Sequence, residues 1–509
     1  MKYGTPALAA FGLLAVGACA DAPTGVRPSG APALALADGS RSATSYLIIA
    51  RGNNLPAALA KQVEGAGGTL QQTMAEIGTA VAFSRDPQFA AKLQATAGVH
   101  AVVPNPVIKW RDGQTGPAGA EGSTAMTAEE VAAVVNPPNS TQDDKLFNFQ
   151  WGHTAVKAQE AWALGFRGKG VRVAVLDDGI DPNHPDIKPN LNTALSTSFI
   201  DNETYFSPAG TGDHGTHVAG TIAAADNGVG VIGVAPEAEL VSVKVLGASG
   251  SGTFGALVNG LVYAGRIGAD VANMSLGAYI PRGTYRYLDD NGTPKDPSDD
   301  FVVALNGRVW QEILVPLTRA ASYANQRGVT LVAAAGNDAT DLDHDQAWLS
   351  IPAQTAHVLS ISALGPNGWA ANPSTSLDIL ASYSNFGQSA VSLAAPGGNY
   401  DVFFANPAAR CTLLGVNRRC YLFDGVLSSV PTNMASSTKV EGGYDWYFGT
   451  SMATPHVSGV AALVIGKNGG SMAPAQVETA LRRAADDLGK PGQDDVYGAG
   501  RVNALAALR

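Results

Sequence analysis

Three residues of the chain could together perform nucleophilic chemistry: Ser451, His214 and Asp177. A serine hydroxyl is a poor nucleophile until an imidazole takes its proton. The imidazole in turn needs a carboxylate to fix its tautomer and stabilise its cation. Ser451 lies in FGTSMATPHVSG, at the expected start of a helix, where the dipole and open backbone N–H groups favour a developing negative charge. Pro455 is expected within the first turn, where a missing N–H does little harm. His214 lies in GDHGTHVAGT, whose glycines let backbone come close to a substrate, and Asp177 directly follows the apolar run VRVAVL. The bland alternatives are a turn-capping Asp177, with Asp178 as its rival, a helix-capping Ser451, and a His214–His217 metal pair; the last lacks an H-E-x-x-H context.

These residues need a scaffold that brings distant segments together. From about residue 143 onward, apolar runs such as VRVAVL (171–176), LVSVKVL (240–246), ADVANMS (269–275), VTLVAAA (329–335) and VLSISAL (358–364) alternate with helical segments. Runs this apolar predict a mostly parallel, doubly wound α/β sheet covered on both faces. In such sheets functional groups gather beyond the carboxyl ends of strands, where Asp177, Ser275 and Asn337 all fall. Helices are expected over 451–466 and 473–485, and irregular polar inserts at about 279–311 and 399–425.

The blocks VLDDGID, HGTHVAGT, NMSLG, AAGN and GTSMATPHVSG, in that order, resemble the subtilisin family over roughly residues 143–509. The chain order Asp, His, Ser is that of subtilisin. The resemblance implies a serine endopeptidase acting on proteins and peptides, with Asp177, His214 and Ser451 as triad and Asn337 as the side-chain donor of the oxyanion hole. It implies that Ser275, Leu276 and Gly277 form one wall of the primary substrate pocket and Ala334, Ala335 and Gly336 the other, with Asp338 at the rim. Asp178 falls where the family often has Ser or Thr. The resemblance also implies a structural calcium ion held by oxygen ligands from Asp143, Asp186, Asn227, Val229 and Val231, against a loop held by its own hydrogen bonds. Two other function classes are disfavoured. An α/β-hydrolase esterase needs G-x-S-x-G, which Gly449–Ala453 breaks, and an inactive binding protein would not need all four catalytic positions filled.

Upstream, residues 44–110 read as β-α-β-β-α-β, a small α+β ferredoxin-like unit that resembles the inhibitor-type propeptide of the same family, here expected to inhibit its own enzyme. VHAVVPNPVIKW (99–110) reads as its last strand. Residues 1–20 read as a signal peptide, 21–43 as a linker, and 111–142 as a linker holding the processing site of a zymogen. Val16–Cys19 resembles a bacterial lipoprotein box, with Cys19 the lipidated residue and a precursor tethered to a membrane; Ala18–Ala20 reads equally as an ordinary cleavage site. In an exported protein, Cys411 and Cys420 are expected to form one small disulfide loop. A net charge of −10 argues against nucleic acid or anionic membrane as the main partner, and a secreted monomer is expected.

Overall fold

The computed structural model describes residues 44–111, 125–134, 144–207, 212–289, 301–345, 347–431 and 443–509. The expected signal peptide, the 21–43 linker, Cys19, Asp143 and most of 111–142 lie outside these. The centre is an eight-stranded sheet in the order Ile379–Leu380, Val358–Gly365, Thr330–Ala334, Val271–Met274, Arg172–Asp177, Glu239–Lys244 and Thr197–Ser198, with Leu393–Pro396 also paired to Val358–Gly365. All pairings are parallel except that of Ile379–Leu380.

The strand sequences explain why both sheet faces are covered. Side chains alternate across a strand, so Val173 and Val175 enter one apolar core while Ala174 and Leu176 enter another. Helices His214–Ala223 and Thr450–Lys467 fill the first core; Phe254–Arg266 and Gly307–Gln326 fill the second. The connections from Arg172–Asp177 pass first to Glu239–Lys244 on one side and then to Val271–Met274 on the other. Asp177 therefore ends the strand at the point where the winding reverses, which is where α/β sheets open a crevice.

Residues 44–104 build a separate four-stranded antiparallel sheet, order Gly68–Met74, Thr79–Ser84, Thr44–Ala50, Val99–Pro104. Its helices Leu59–Gly65 and Phe89–Gln94 cover one face around Ile48 and Val102; Leu47, Ile49 and Val103 on the other face join the second core of the large sheet.

Three local expectations are corrected. VHAVVPNPVIKW is not one strand: Val99–Pro104 stays in the small sheet, while Val107–Lys109 leaves it to pair with Ser251–Thr253. Pro104 and Pro106 have no N–H to donate, so the ladder breaks between them. The two inserts are not irregular. The first carries Ala278–Pro281 paired with Trp348–Ile351 and a hairpin of Tyr285–Asp289 with Phe301–Leu305. The second carries a hairpin of Arg410–Leu413 with Val416–Arg419, and Cys411 and Cys420 are disulfide-linked there. Pro455 is the sixth residue of its helix, not part of the first turn.

Candidate active site

Asp177 and His214 meet from adjacent elements, the end of a buried strand and the first residue of a buried helix. His214 Nδ1 donates to both Asp177 oxygens, at 2.9 and 3.0 Å, and both side chains are almost completely buried. A carboxylate on Nδ1 fixes the tautomer and leaves Nε2 as the basic nitrogen.

Ser451 is the second residue of the helix Thr450–Lys467. Gly449 caps that helix at φ 146°, a backbone shape that side chains rarely adopt, and this sharp entry presents Ser451. The Ser451 hydroxyl donates to the Ser275 carbonyl at 3.2 Å, and no hydrogen bond joins it to His214 among the described residues. Pro455 has a specific effect here. It supplies no N–H to the carbonyl four residues back, that of Ser451, and this carbonyl instead accepts the Ser275 hydroxyl at 2.7 Å.

Asn337 follows the strand Thr330–Ala334. Its Oδ1 accepts from Thr450 N at 2.9 Å and Thr450 Oγ1 at 2.8 Å, so Nδ2 is the end left to donate. A Cβ placed on Gly449 would lie 3.5 Å from Asn337 Nδ2 and 3.6 Å from Ser451 N. Two donors thus flank one spot beside the serine, an arrangement suited to a developing oxyanion.

The expected pocket walls face each other across Gly277, where a Cβ would meet the Ala334 carbonyl at 3.9 Å and that of Ile351 at 3.4 Å. Asp338 accepts the Tyr279 hydroxyl at 2.7 Å, and Asn385 Nδ2 bonds the same hydroxyl at 2.5 Å. The cleft also has a side that sequence reasoning missed. Residues 107–111 lie extended along it: Val107–Lys109 pairs antiparallel with Ser251–Thr253, Trp110 and Arg111 N–H both reach the Gly250 carbonyl, and Gly277 N–H donates to the Trp110 carbonyl at 2.9 Å. The signal for it was the small-residue stretch Ser249–Thr253 just beyond a strand end. The buried pair Arg111–Asp178, 3.0 Å, was also missed. Burial and the neighbouring Asp177 push the Asp178 carboxyl up, and Arg111 opposes them.

His217 belongs to no metal pair: its Nε2 faces the carbonyls of Val426 at 3.0 Å and Asp445 at 3.2 Å. The expected cation ligands Asp186, Asn227 and Val231 do converge, but through bonds of their own. Asp186 Oδ2 accepts Val231 N–H, and Asn227 Oδ1 accepts Val229 N–H, each at 3.0 Å. The acidic partner here is Asp144, which accepts Asn227 N–H at 3.2 Å; Asp143 lies outside the described residues. Among the described residues no group of three or more His, Cys, Asp or Glu could hold a metal. The oxygen-only donors and the two buried carboxylates nonetheless fit a hard cation, since burial first and Asp144 among the lesser causes push the Asp186 carboxyl well up.

The model of the subtilase family (Peptidase_S8) matches residues 168–500. Subtilisin Savinase of Lederbergia lenta is 36% identical over 359 residues, covering 70% of this chain and 98% of its own. Subtilisin E of Bacillus subtilis (strain 168) is 31% identical over 70% of this chain and 71% of its own. Two solved structures share the fold over 92% of this chain: fervidolysin of Fervidobacterium pennivorans, described as a keratinolytic enzyme related to subtilisin (24% identity, TM-score 0.62, 61% of that chain), and the epidermin leader peptide processing serine protease of Staphylococcus aureus (21% identity, TM-score 0.66, 98% of that chain). The chain belongs to the subtilase family and is a subtilisin-like serine endopeptidase.

Proposed function

We propose that this endopeptidase is exported as a zymogen that processes itself, and that Ser451, His214 and Asp177 carry its chemistry. In this reading His214 Nε2 takes the Ser451 proton as Oγ attacks the scissile carbonyl. Asp177 stabilises the imidazolium, and Asn337 Nδ2 with Ser451 N–H receives the oxyanion. The acyl-enzyme then forms as His214 protonates the leaving amine, and water releases it by the same route. The observation that carries this reading is the two-oxygen grip of Asp177 on His214. Ser451→Ala should abolish casein hydrolysis and leave the precursor uncleaved; retained activity would end the assignment.

Residues 44–110 would act as the intramolecular inhibitor, since residues 107–111 lie along the cleft. Processing would fall within 111–142. Asp144, Asp186, Asn227 and the carbonyls of Val229 and Val231 would hold calcium, which would supply charge neutralisation and loop rigidity. Among the described residues no helix is long and apolar enough to cross a membrane. A lipidated Cys19 would tether the precursor and release the enzyme on processing; fractionation of the Ser451→Ala precursor tests this, and a soluble precursor starting at Asp21 would exclude it.

A further inference from the structure

Arg111 occupies a pocket whose negative charge is not explained by the triad. Its backbone lies along the cleft, with its N–H on the Gly250 carbonyl at 3.2 Å. Its guanidinium is nearly buried and donates from Nη2 to Asp178 Oδ2 at 3.0 Å. Asp178 is fully buried, and its two oxygens are divided between two tasks: Oδ1 accepts Gly215 N–H at 2.8 Å, tying down the helix that bears His214, and Oδ2 accepts from Arg111. Asp177 and Asp213 add further negative charge around the guanidinium.

The register fixes where this pocket stands relative to the reaction. Gly277 N–H bonds the Trp110 carbonyl. In an antiparallel register a substrate residue two positions further on stands opposite Ser275, whose carbonyl accepts the Ser451 hydroxyl. That residue presents its carbonyl to the nucleophile, and the residue before it occupies the position of Arg111. We propose that Asp178 makes this enzyme select substrates with an arginine at the second position before the scissile bond, Arg111 being the chain's own occupant of that subsite. The proposal rests on Ser451 as nucleophile and on residues 107–111 lying as a substrate does. Discrimination has a clear physical origin: a neutral side chain in this pocket leaves a desolvated carboxylate unpaired beside a second one. Arginine is favoured over lysine because its planar fork matches a carboxylate and is less strongly hydrated.

The test compares peptides identical except for Arg, Lys, Gln or Leu at that position, with wild-type enzyme, Asp178→Asn and Ser451→Ala. Wild type should prefer Arg over Gln by about 10- to 100-fold in kcat/KM, the range for a buried hydrogen bond to a charged group. Asp178→Asn keeps the oxygen that Gly215 needs, and should bring Arg and Gln within about twofold by slowing the Arg peptide and lifting the penalty on the Gln peptide. A second measurement does not depend on the folding of a variant. A synthetic peptide of residues 105–111 should inhibit wild-type enzyme about 10- to 100-fold more tightly than the same peptide with Arg111→Gln. Equal wild-type rates for Arg and Gln, equal inhibition by the two peptides, or an Asp178→Asn loss common to all peptides would each overturn the proposal while leaving the protease intact. Hydrolysis that persists in Ser451→Ala would instead remove the catalytic reading on which it rests.

Discussion

Ser275 and Ser451 hold each other through reciprocal hydrogen bonds: the Ser275 hydroxyl donates to the Ser451 carbonyl at 2.7 Å, and the Ser275 carbonyl accepts from the Ser451 hydroxyl at 3.2 Å. Asn273 Nδ2 steadies Ser275 Oγ at 2.9 Å, and Ser458 Oγ in turn bonds Asn273 Oδ1 at 2.8 Å. Ser451 is thus registered against the neighbouring strand by a buried polar chain.

Ser275→Ala removes the hydroxyl and strands two buried partners, the Ser451 carbonyl and Asn273 Nδ2. The expected cost is about 1–3 kcal/mol of stability. Because Ser275 positions Ser451 without removing any binding surface, kcat should fall with KM nearly unchanged. Denaturant melts and steady-state kinetics on one peptide check both. A pure KM effect would show that Ser275 serves the substrate strand instead.

Asn337→Ala should lower kcat by about 10²–10³ with little change in KM, a magnitude that is subtilisin's own for the equivalent kind of donor. The substitution also frees Thr450, whose N–H and hydroxyl both bond Asn337 Oδ1. Asn337→Asp keeps an acceptor for Thr450, loses the donor and adds a negative charge facing the developing oxyanion. Its kcat should therefore fall at least as far as that of the alanine variant, while its melting temperature stays closer to wild type.

Much of this site was legible in the sequence because its residues sit at strand and helix ends that local composition marks. VRVAVL before Asp177 and VTLVAAA before Asn337 read as buried strands, and so they are. What could not be read was pairing between segments far apart in sequence. Nothing local to Val107–Lys109 says that it leaves one sheet to join Ser251–Thr253, nor that Arg111 will meet Asp178, 67 positions away. The role of Pro455 was misjudged for the same reason: its missing N–H matters only because Ser275, 176 positions from Ser451, takes the freed carbonyl.

Four histidines are buried neutral in the folded enzyme. Desolvation is the main cause in each, holding His153 and His217 at about 3 and His184 and His456 at about 4. In the unfolded chain each returns to about 6.5. The unfolded state therefore binds more protons between these values, so stability is complete above about pH 6.5 and is lost as pH falls towards 4 and then 3. Each histidine contributes roughly 1.4 kcal/mol per pH unit within its window. Unfolding midpoints measured from pH 7 to pH 4 should fall steeply, and less steeply in His217→Gln. A midpoint flat across that range would show that these imidazoles are charged in the fold or solvated.

Chelation should lower the melting temperature and speed autolysis if the loop around Asp186 holds calcium, because a ligand that binds only the folded state stabilises it by mass action. Asp186→Asn should remove the sensitivity. Its neutral amide also relieves the repulsion with Asp144, so the variant in EDTA should melt no lower than wild type in EDTA. Identical wild-type melting in EDTA and in calcium would remove the metal from this loop.

The small N-terminal sheet meets the helices Phe254–Arg266 and Gly307–Gln326 through polar contacts that can be deleted one at a time. Arg266 bonds both oxygens of Glu76, at 2.6 and 2.7 Å, and Arg319 Nη1 caps the carbonyls of Gly52 at 2.9 Å and Ile77 at 3.1 Å. Asn259 Nδ2 bonds Gln72 Oε1 at 3.0 Å. The Glu76 pair is partly exposed and salt-screened, so Glu76→Gln should weaken docking only severalfold, and less at high ionic strength. Arg319→Ala removes a donor from three carbonyls at the interface, those of Ala50, Gly52 and Ile77, and should weaken docking more, with little dependence on salt. Neither residue touches Ser451, His214 or Asp177, so active-site titration of the mature enzyme should be unchanged. The readout is the rate at which activity appears after processing of the precursor, compared at low and high salt. Faster release in Arg319→Ala than in Glu76→Gln, with salt accelerating wild type and Arg319→Ala but not Glu76→Gln, is the expected pattern. Release that responds to neither variant would show that these two polar contacts do not hold the small sheet in place.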